Sequence, residues 1–162
     1  MQVSFVIVFF VPGKAKNRSG CPVSRSLEIF GDRWSLLIIR DLMIRGLRNF
    51  KEFQESGEGI ASNILADRLR KLEQDGIISR EAGETDGRKV DYRLTQKGID
   101  LAPVLFELLL WGGQHDEDST PGPVIARMKK HREAIVAEVR RRWRDRDRTP
   151  LQSKTGEWHL PS

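Results

Sequence analysis

A change of period between residues 62 and 94 constrains this chain most. From Ser62 to Asp75 the apolar residues Leu65, Leu69 and Leu72 recur at i, i+4 and i+7, the spacing of one buried helix face. Gly76 then supplies a stop, because glycine accepts the left-handed conformation that ends many helices. From Ile77 to Glu81 and from Val90 to Leu94 the pattern becomes that of two strands, joined by the polar tip Ala82–Arg88 with an Asp86-Gly87 turn signal. A helix running straight into a hairpin restricts the fold to those in which both share one core.

The flanking segments narrow it further. Pro22 suits the first turn of a helix, where its missing N–H costs nothing. That helix carries Val23, Leu27 and Phe30 and ends at Gly31. Asp32 caps a second helix through Trp34, Leu37, Ile38, Asp41 and Leu42, apolar over most of its circumference and therefore central, with Gly46 as its end. Phe50 and Phe53 mark a short third helix that stops at Ser56-Gly57. Beyond the hairpin, Thr95 caps one long helix through Leu101, Val104, Leu105, Leu108 and Trp111 to Gly112-Gly113. Asp116-Glu117-Asp118 and Pro121-Gly122-Pro123 then separate off a final helix over Val124–Arg142. Short helices, a glycine turn, a helix with a polar outer face and a hairpin, in that order, make a mainly α fold with a small β-wing, the winged helix-turn-helix. The expected divisions are an extension and linker over 1–20, the winged helix over 21–113, an acidic loop and basic helix over 114–148, and a tail over 149–162.

With the leucines turned inward at 100° per residue, Asn63, Asp67, Arg70 and Gln74 point outward, flanked by Ser62, Ala66 and Lys71. Asn pairs with adenine, Arg with guanine, and Asp accepts from cytosine in a major groove wide enough for a helix. Arg88 and Lys89 at the hairpin base suit phosphates or the minor groove. The expected partner is double-stranded DNA. The plainer reading of the same residues is a solvated helix face beside a surface hairpin.

Net charge does not decide between them. The total is +5, yet residues 1–122 carry 17 Lys and Arg against 18 Asp and Glu, while residues 123–148 carry 10 against 4. The positive excess lies in the C-terminal segment, and Arg140–Arg148 alone holds six arginines, either a solvated helix end or a second phosphate contact. The near-neutral remainder keeps a winged helix that binds protein instead of DNA as the alternative.

Several motifs in one order resemble the HxlR-type winged-helix regulators: Cys21-Pro-Val-Ser-Arg-Ser-Leu-Glu-Ile-Phe-Gly-Asp-Arg-Trp-Ser-Leu-Leu-Ile-Ile-Arg-Asp-Leu, Arg48-Asn-Phe-Lys-Glu-Phe, Gly59-Ile60, Leu65-Ala-Asp-Arg-Leu-Arg-Lys-Leu-Glu-Gln-Asp-Gly-Ile-Ile, Val90-Asp-Tyr-Arg-Leu-Thr-Gln-Lys-Gly98, and the Leu-Trp-Gly at 110–112. The resemblance spans about residues 21–113. It implies a homodimer, DNA binding through the 62–75 helix and the wing, and control of transcription as repressor or activator. Three departures stand out. Ala61 replaces a frequent serine cap, which makes Ser62 the expected cap. The wing Asp86-Gly87-Arg88 to Leu94-Thr95 looks more like the related MarR group. The basic helix after residue 123 lies beyond the usual domain.

The expected dimer face is Val104, Leu105, Leu108 and Trp111, augmented by the N-terminal segment and the helix after 123, since two-fold symmetry doubles the DNA contacts. Trp34 and Trp111 suit core or dimer packing better than an effector pocket. The single cysteine precludes an intrachain disulfide and fits a reducing cytoplasm. Cys21 precedes Pro22 at a helix N-terminus, one turn before Arg25, which favours a thiolate able to sense oxidants or electrophiles. The resemblance points the same way, since some members sense through a cysteine at this place. The alternative is a buried, inert thiol. With no second cysteine, oxidation yields a sulfenic acid, a mixed adduct or a disulfide between subunits.

No catalytic signature, phosphate loop, cofactor or metal site is expected. His115 with Asp116-Glu117-Asp118 reads as a solvated acidic loop, because neighbouring loop residues do not converge on one ion. The apolar run Val3–Val11 is far short of a membrane span of about 20 residues and lacks the basic flank and cleavage site of a signal peptide. It reads as a strand, a disordered extension or the product of a start codon placed too far upstream.

Overall fold

A computed structural model describes residues 20–83, 87–116, 118, 120–153 and 155–160. The run Val3–Val11, most of the linker and turn residues 84–86 lie outside the described residues. The chain forms α1 (Pro22–Phe30), α2 (Arg33–Arg40), α3 (Phe50–Gln54), α4 (Ser62–Gln74), strands β1 (Ile78–Ala82) and β2 (Val90–Leu94), then α5 (Gln96–Ile99), α6 (Ala102–His115), α7 (Gly122–Lys130) and α8 (Arg132–Arg144). This is the mainly helical winged helix with an antiparallel two-stranded wing, paired from Ile78↔Leu94 to Ala82↔Val90.

The local signals act as physical chemistry requires. The Asp32 carboxylate accepts from the Ser35 amide at 3.0 Å and its hydroxyl at 2.6 Å, capping α2. Asn49 and Glu52 form a capping box on α3. Thr95 caps α5 through the Gly98 amide. The α4 start differs from expectation: Ala61 occupies the cap position without a side-chain bond, and Ser62 is the first helical residue.

Two expected helices are broken. The helix from Thr95 divides after Ile99, and α6 restarts at Ala102 with Pro103 in its first turn, the position proline tolerates. The last helix divides at His131, whose φ of −108° and ψ of 23° leave the helical region. There α7 packs on α6, while Val139 of α8 joins the main core. α2 also extends beyond Arg40 as a π-helical turn over Asp41–Arg45.

The core forms around α4. Leu65, Leu69 and Leu72 share a core with Ile39 of α2, Leu42 of the π-helical turn, Phe53 of α3, Ile78 and Leu94 of the wing, and Ile99. Each buried leucine contributes about 1.5–3 kcal/mol. A second cluster of Phe106, Leu110, Ile125, Met128 and Ile135 joins α6, α7 and α8. Inside the main core sits a buried carboxylate, Asp41, which accepts from Arg40 Nε at 3.0 Å and Nη2 at 2.7 Å, with Arg45 3.5 Å away. Burial pushes its pKa up and outweighs the pull of Arg40 and Arg45.

The segment after α8 returns across the front of the molecule. Leu151 is buried, and its amide donates to the Ile44 carbonyl at 2.7 Å. Gly46 makes this passage possible: its φ is 69°, and a Cβ there would lie 2.3 Å from the Arg148 carbonyl oxygen. Gly46→Ala combines left-handed strain with a backbone clash. Chemical denaturation is expected to show a loss of about 2–4 kcal/mol, whereas Gly57→Ala, with open space around it, loses only the φ contribution of about 1 kcal/mol.

Candidate nucleic-acid interface

α4 presents one face to the core and one to solvent. Its inward leucines fix the rotation, and two anchors hold its flanks. Arg68 Nε lies 3.3 Å from the Asp32 carboxylate, and Lys71 Nζ donates to the Glu28 carbonyl of α1 at 2.8 Å. Burial raises the Asp32 pKa, but Ser35, Arg68 and Lys71 outweigh it and hold the carboxyl below its ordinary value.

The outer face carries Ser62, Asn63, Ala66 and Arg70, all exposed, with Asp67 half-buried. Arg70 donates to the Asp67 carboxylate, which Arg68 also approaches at 3.7 Å. The two residues expected to read base edges are thus paired with each other in the free protein, and Asn63 projects beside them. Lys71 is committed to α1, so it works as a brace before it works as a contact. Arg88 and Lys89 are exposed in the turn at the wing tip, not at the hairpin base where sequence reading put them. They adjoin the Ala82↔Val90 pair, at the end of the ribbon away from the core-packed Ile78↔Leu94 pair, and the Gly83 amide donates to the Lys89 carbonyl at 2.8 Å.

The arginine-rich segment is mostly engaged within the chain. Arg141 pairs with Glu138, Asp145 and Asp147 at 2.7–3.2 Å, and Arg142 with Glu138 at 2.7 Å. Arg146 pairs with Glu81 at 2.8 Å and Arg148 with Glu52 at 3.2 Å. Hydrogen bonds from Arg141 and Arg142 hold the Glu138 carboxyl down at about 2. Arg140 and Arg144 are exposed.

Two helices also expose large apolar side chains. Val104, Leu108 and Trp111 of α6 are 45%, 47% and 66% exposed, and Val23 and Leu27 of α1 are 65% and 56% exposed. Leu105, expected on the same face, turns inward and is buried in the chain's own core. Sequence reading put Val23 and Leu27 on an apolar helix face without showing that the rest of the chain leaves that face open. Trp34 packs against the core, and Trp111 lies against His115 with ring centroids 5.0 Å apart. A cleft of about 370 Å³ between α2, α6 and the tail is lined instead by Leu37, Arg45, Leu108, Gln152 and Trp158 among others. Among the described residues no group of three or more His, Cys, Asp and Glu is placed to hold a metal ion, and no helix is long and apolar enough to cross a membrane.

Cys21 is exposed at the α1 N-terminus, where the Ser24 and Val23 amides lower its thiol pKa. Those amides have no carbonyl partner within the helix, which is why they favour a thiolate.

A polar helix face beside a two-stranded wing with an exposed tip, both held by one core, defines a winged helix-turn-helix protein. Residues 29–120 match the HxlR-like helix-turn-helix family. The HTH-type transcriptional regulator YodB of Bacillus subtilis (strain 168) is 38% identical over 111 residues, covering 68% of this chain and 96% of its own. The crystal structure of PA1607, a candidate transcription factor, superposes with a TM-score of 0.58 at 42% identity, over 65% of this chain and 71% of that one. The redox regulator HypR in its oxidized form gives a TM-score of 0.53 at 34% identity, over 59% of this chain and 97% of that one. The chain belongs to the HxlR family and is a DNA-binding transcriptional regulator.

The lowered thiol pKa makes Cys21 reactive at a lower pH than an ordinary cysteine. Alkylation by iodoacetamide is expected to reach half its maximal rate below the ordinary thiol value of about 8.5, and to return to that value in urea. A native midpoint at or above the unfolded one contradicts the N-terminal amide effect.

Proposed function

We propose that the protein acts as a homodimer on a two-fold operator, with α4 of each subunit in a major groove and each wing on the flanking backbone. The carrying observation is the exposed polar face of α4, set opposite its buried leucine seam and next to the wing. Asn63 and Arg70 read base edges, and Asp67 either reads or releases Arg70. Ser62, Ala66 and Lys71 line the groove, and Arg88 and Lys89 take phosphate or the minor groove. Val104, Leu108 and Trp111 of α6, together with Val23 and Leu27 of α1, form the dimer seam, which would withdraw large apolar side chains from water. The dimer works in the cytoplasm.

Its signal is an oxidant or electrophile acting at Cys21. The exposed thiol with its lowered pKa supports this, as does the similarity to a redox regulator. Diamide is expected to change operator affinity of the native protein and to leave Cys21→Ser unaffected; equal responses in both proteins remove the sensor role.

Footprinting is expected to protect half-sites whose centres lie about one helical turn apart, or a multiple of it. Arg70→Ala costs about 1–3 kcal/mol and relaxes preference at one position, while Arg88→Ala weakens all duplexes evenly. The absence of any protected site at low salt leaves the protein-binding alternative standing. Leu108→Glu is expected to convert the dimer to monomer in sedimentation and to weaken DNA binding in parallel. A native protein that sediments as a monomer at micromolar concentration with full affinity overturns the dimer.

A further inference from the structure

The wing has two faces. Strand alternation puts Ile78, Arg80, Tyr92 and Leu94 on one and Ser79, Glu81, Asp91 and Arg93 on the other. Ile78, Tyr92 and Leu94 bury the first face in the core. Residues 143–146 cover the second. Trp143 Nε1 donates to the Leu94 carbonyl at 2.7 Å, and Arg93 returns a bond to the Trp143 carbonyl with its guanidinium 5.1 Å from the indole ring. Arg146 grips Glu81 with two nitrogens, at 2.8 and 3.3 Å. To reach it, the chain puts Arg146 at φ 57°, the only positive φ outside glycine among the described residues. The cavity at this joint is about 20 Å³, too small for a ligand, so the contact is packed.

An isolated two-stranded ribbon is marginal in water, and a contact residue is useful only when a second set of residues holds its geometry. We propose that Trp143 and Arg146 form a brace that sets the angle of the wing against α4. They are positioning residues for Arg88 and Lys89, contributed from beyond the 29–120 span that matches the family. The brace gives Arg146 of the basic segment a carboxylate partner on the wing, although the pair stays at the surface. The wing is thus held at three places: core packing fixes its base, the Arg48 carbonyl and the Asn49–Asp91 bridge hold the edge of β2, and the α8 end covers its second face. The role in DNA contact rests on the operator reading above; the brace itself does not.

The full chain tests both parts. Amide hydrogen exchange without DNA is expected to speed up in β1 and β2 about threefold in Arg146→Ala and about fivefold in Trp143→Phe, which keeps an aromatic ring but loses the indole N–H donor. α4 exchange stays at the native rate. The exchanged pair Glu81→Arg with Arg146→Glu restores slow exchange. On a duplex selected from a random pool by the native protein, Arg146→Ala loses hydroxyl-radical protection at the outer, wing-contacted positions and keeps it where α4 sits. Unchanged exchange in β1 and β2 of Arg146→Ala and Trp143→Phe overturns the brace, and protection lost evenly across the site overturns its positioning role. A native chain that selects no duplex overturns the operator reading instead, and the exchange rates still decide the brace.

Discussion

Burial of the α4 leucine seam is the constraint from which the remaining geometry follows. Leu65, Leu69 and Leu72 are almost entirely withdrawn from solvent, and rotating the helix by even one residue would turn through 100° and expose one of them. The polar outer face is therefore set by packing on the opposite side. The anchors Arg68–Asp32 and Lys71–Glu28 then tie α4 to the junction of α1 and α2. A displacement of α1 would therefore act on the junction that holds α4.

Electrostatics contribute differently from what bulk charge suggests. The C-terminal segment holds the positive excess, yet its arginines mostly neutralise carboxylates within the chain. Glu138 shows the linkage. Its carboxyl is held at about 2, below its ordinary value, so the pairing stabilises the fold above pH ~4.5 and fades as pH falls towards 2. Local arrangement, rather than the net +5, sets the potential that DNA meets. Pairing of Asp67 with Arg70 continues this pattern: an internal carboxylate partner orders the arginine and offsets its charge on the outer face of α4.

Most of the winged helix was legible because its signals are local. Leu65, Leu69 and Leu72 specified α4, Asp32 and Thr95 specified caps, and the alternation around Asp86-Gly87 specified the strands. Pro103 carried a readable signal for the break before α6 that the apolar run from Leu101 to Trp111 masked. The break at His131 has no local marker; α7 and the start of α8 both pack on α6, while Val139 farther along α8 reaches the main core. Exposure was legible only in part. Val104, Leu105 and Leu108 look alike in sequence, and only the path of α6 over the core buries Leu105 and leaves the others outside. The partners of Arg146 and Trp143 lie about fifty residues or more away, beyond any periodicity argument.

The passage of residues 148–151 over Gly46 bears on how the molecule is made. Ile44 and Leu151 meet across more than a hundred residues of chain, and Glu52 meets Arg148 across 96. Contacts of such sequence separation pay loop-closure entropy before they return anything, and they slow folding relative to helix-local contacts. On the ribosome, α1 through β2 can assemble while the strap is still unsynthesised, leaving the groove beside Gly46 open. Closure of that groove is therefore expected to trail the helix-local contacts of α4, because its partners come together only across a long loop.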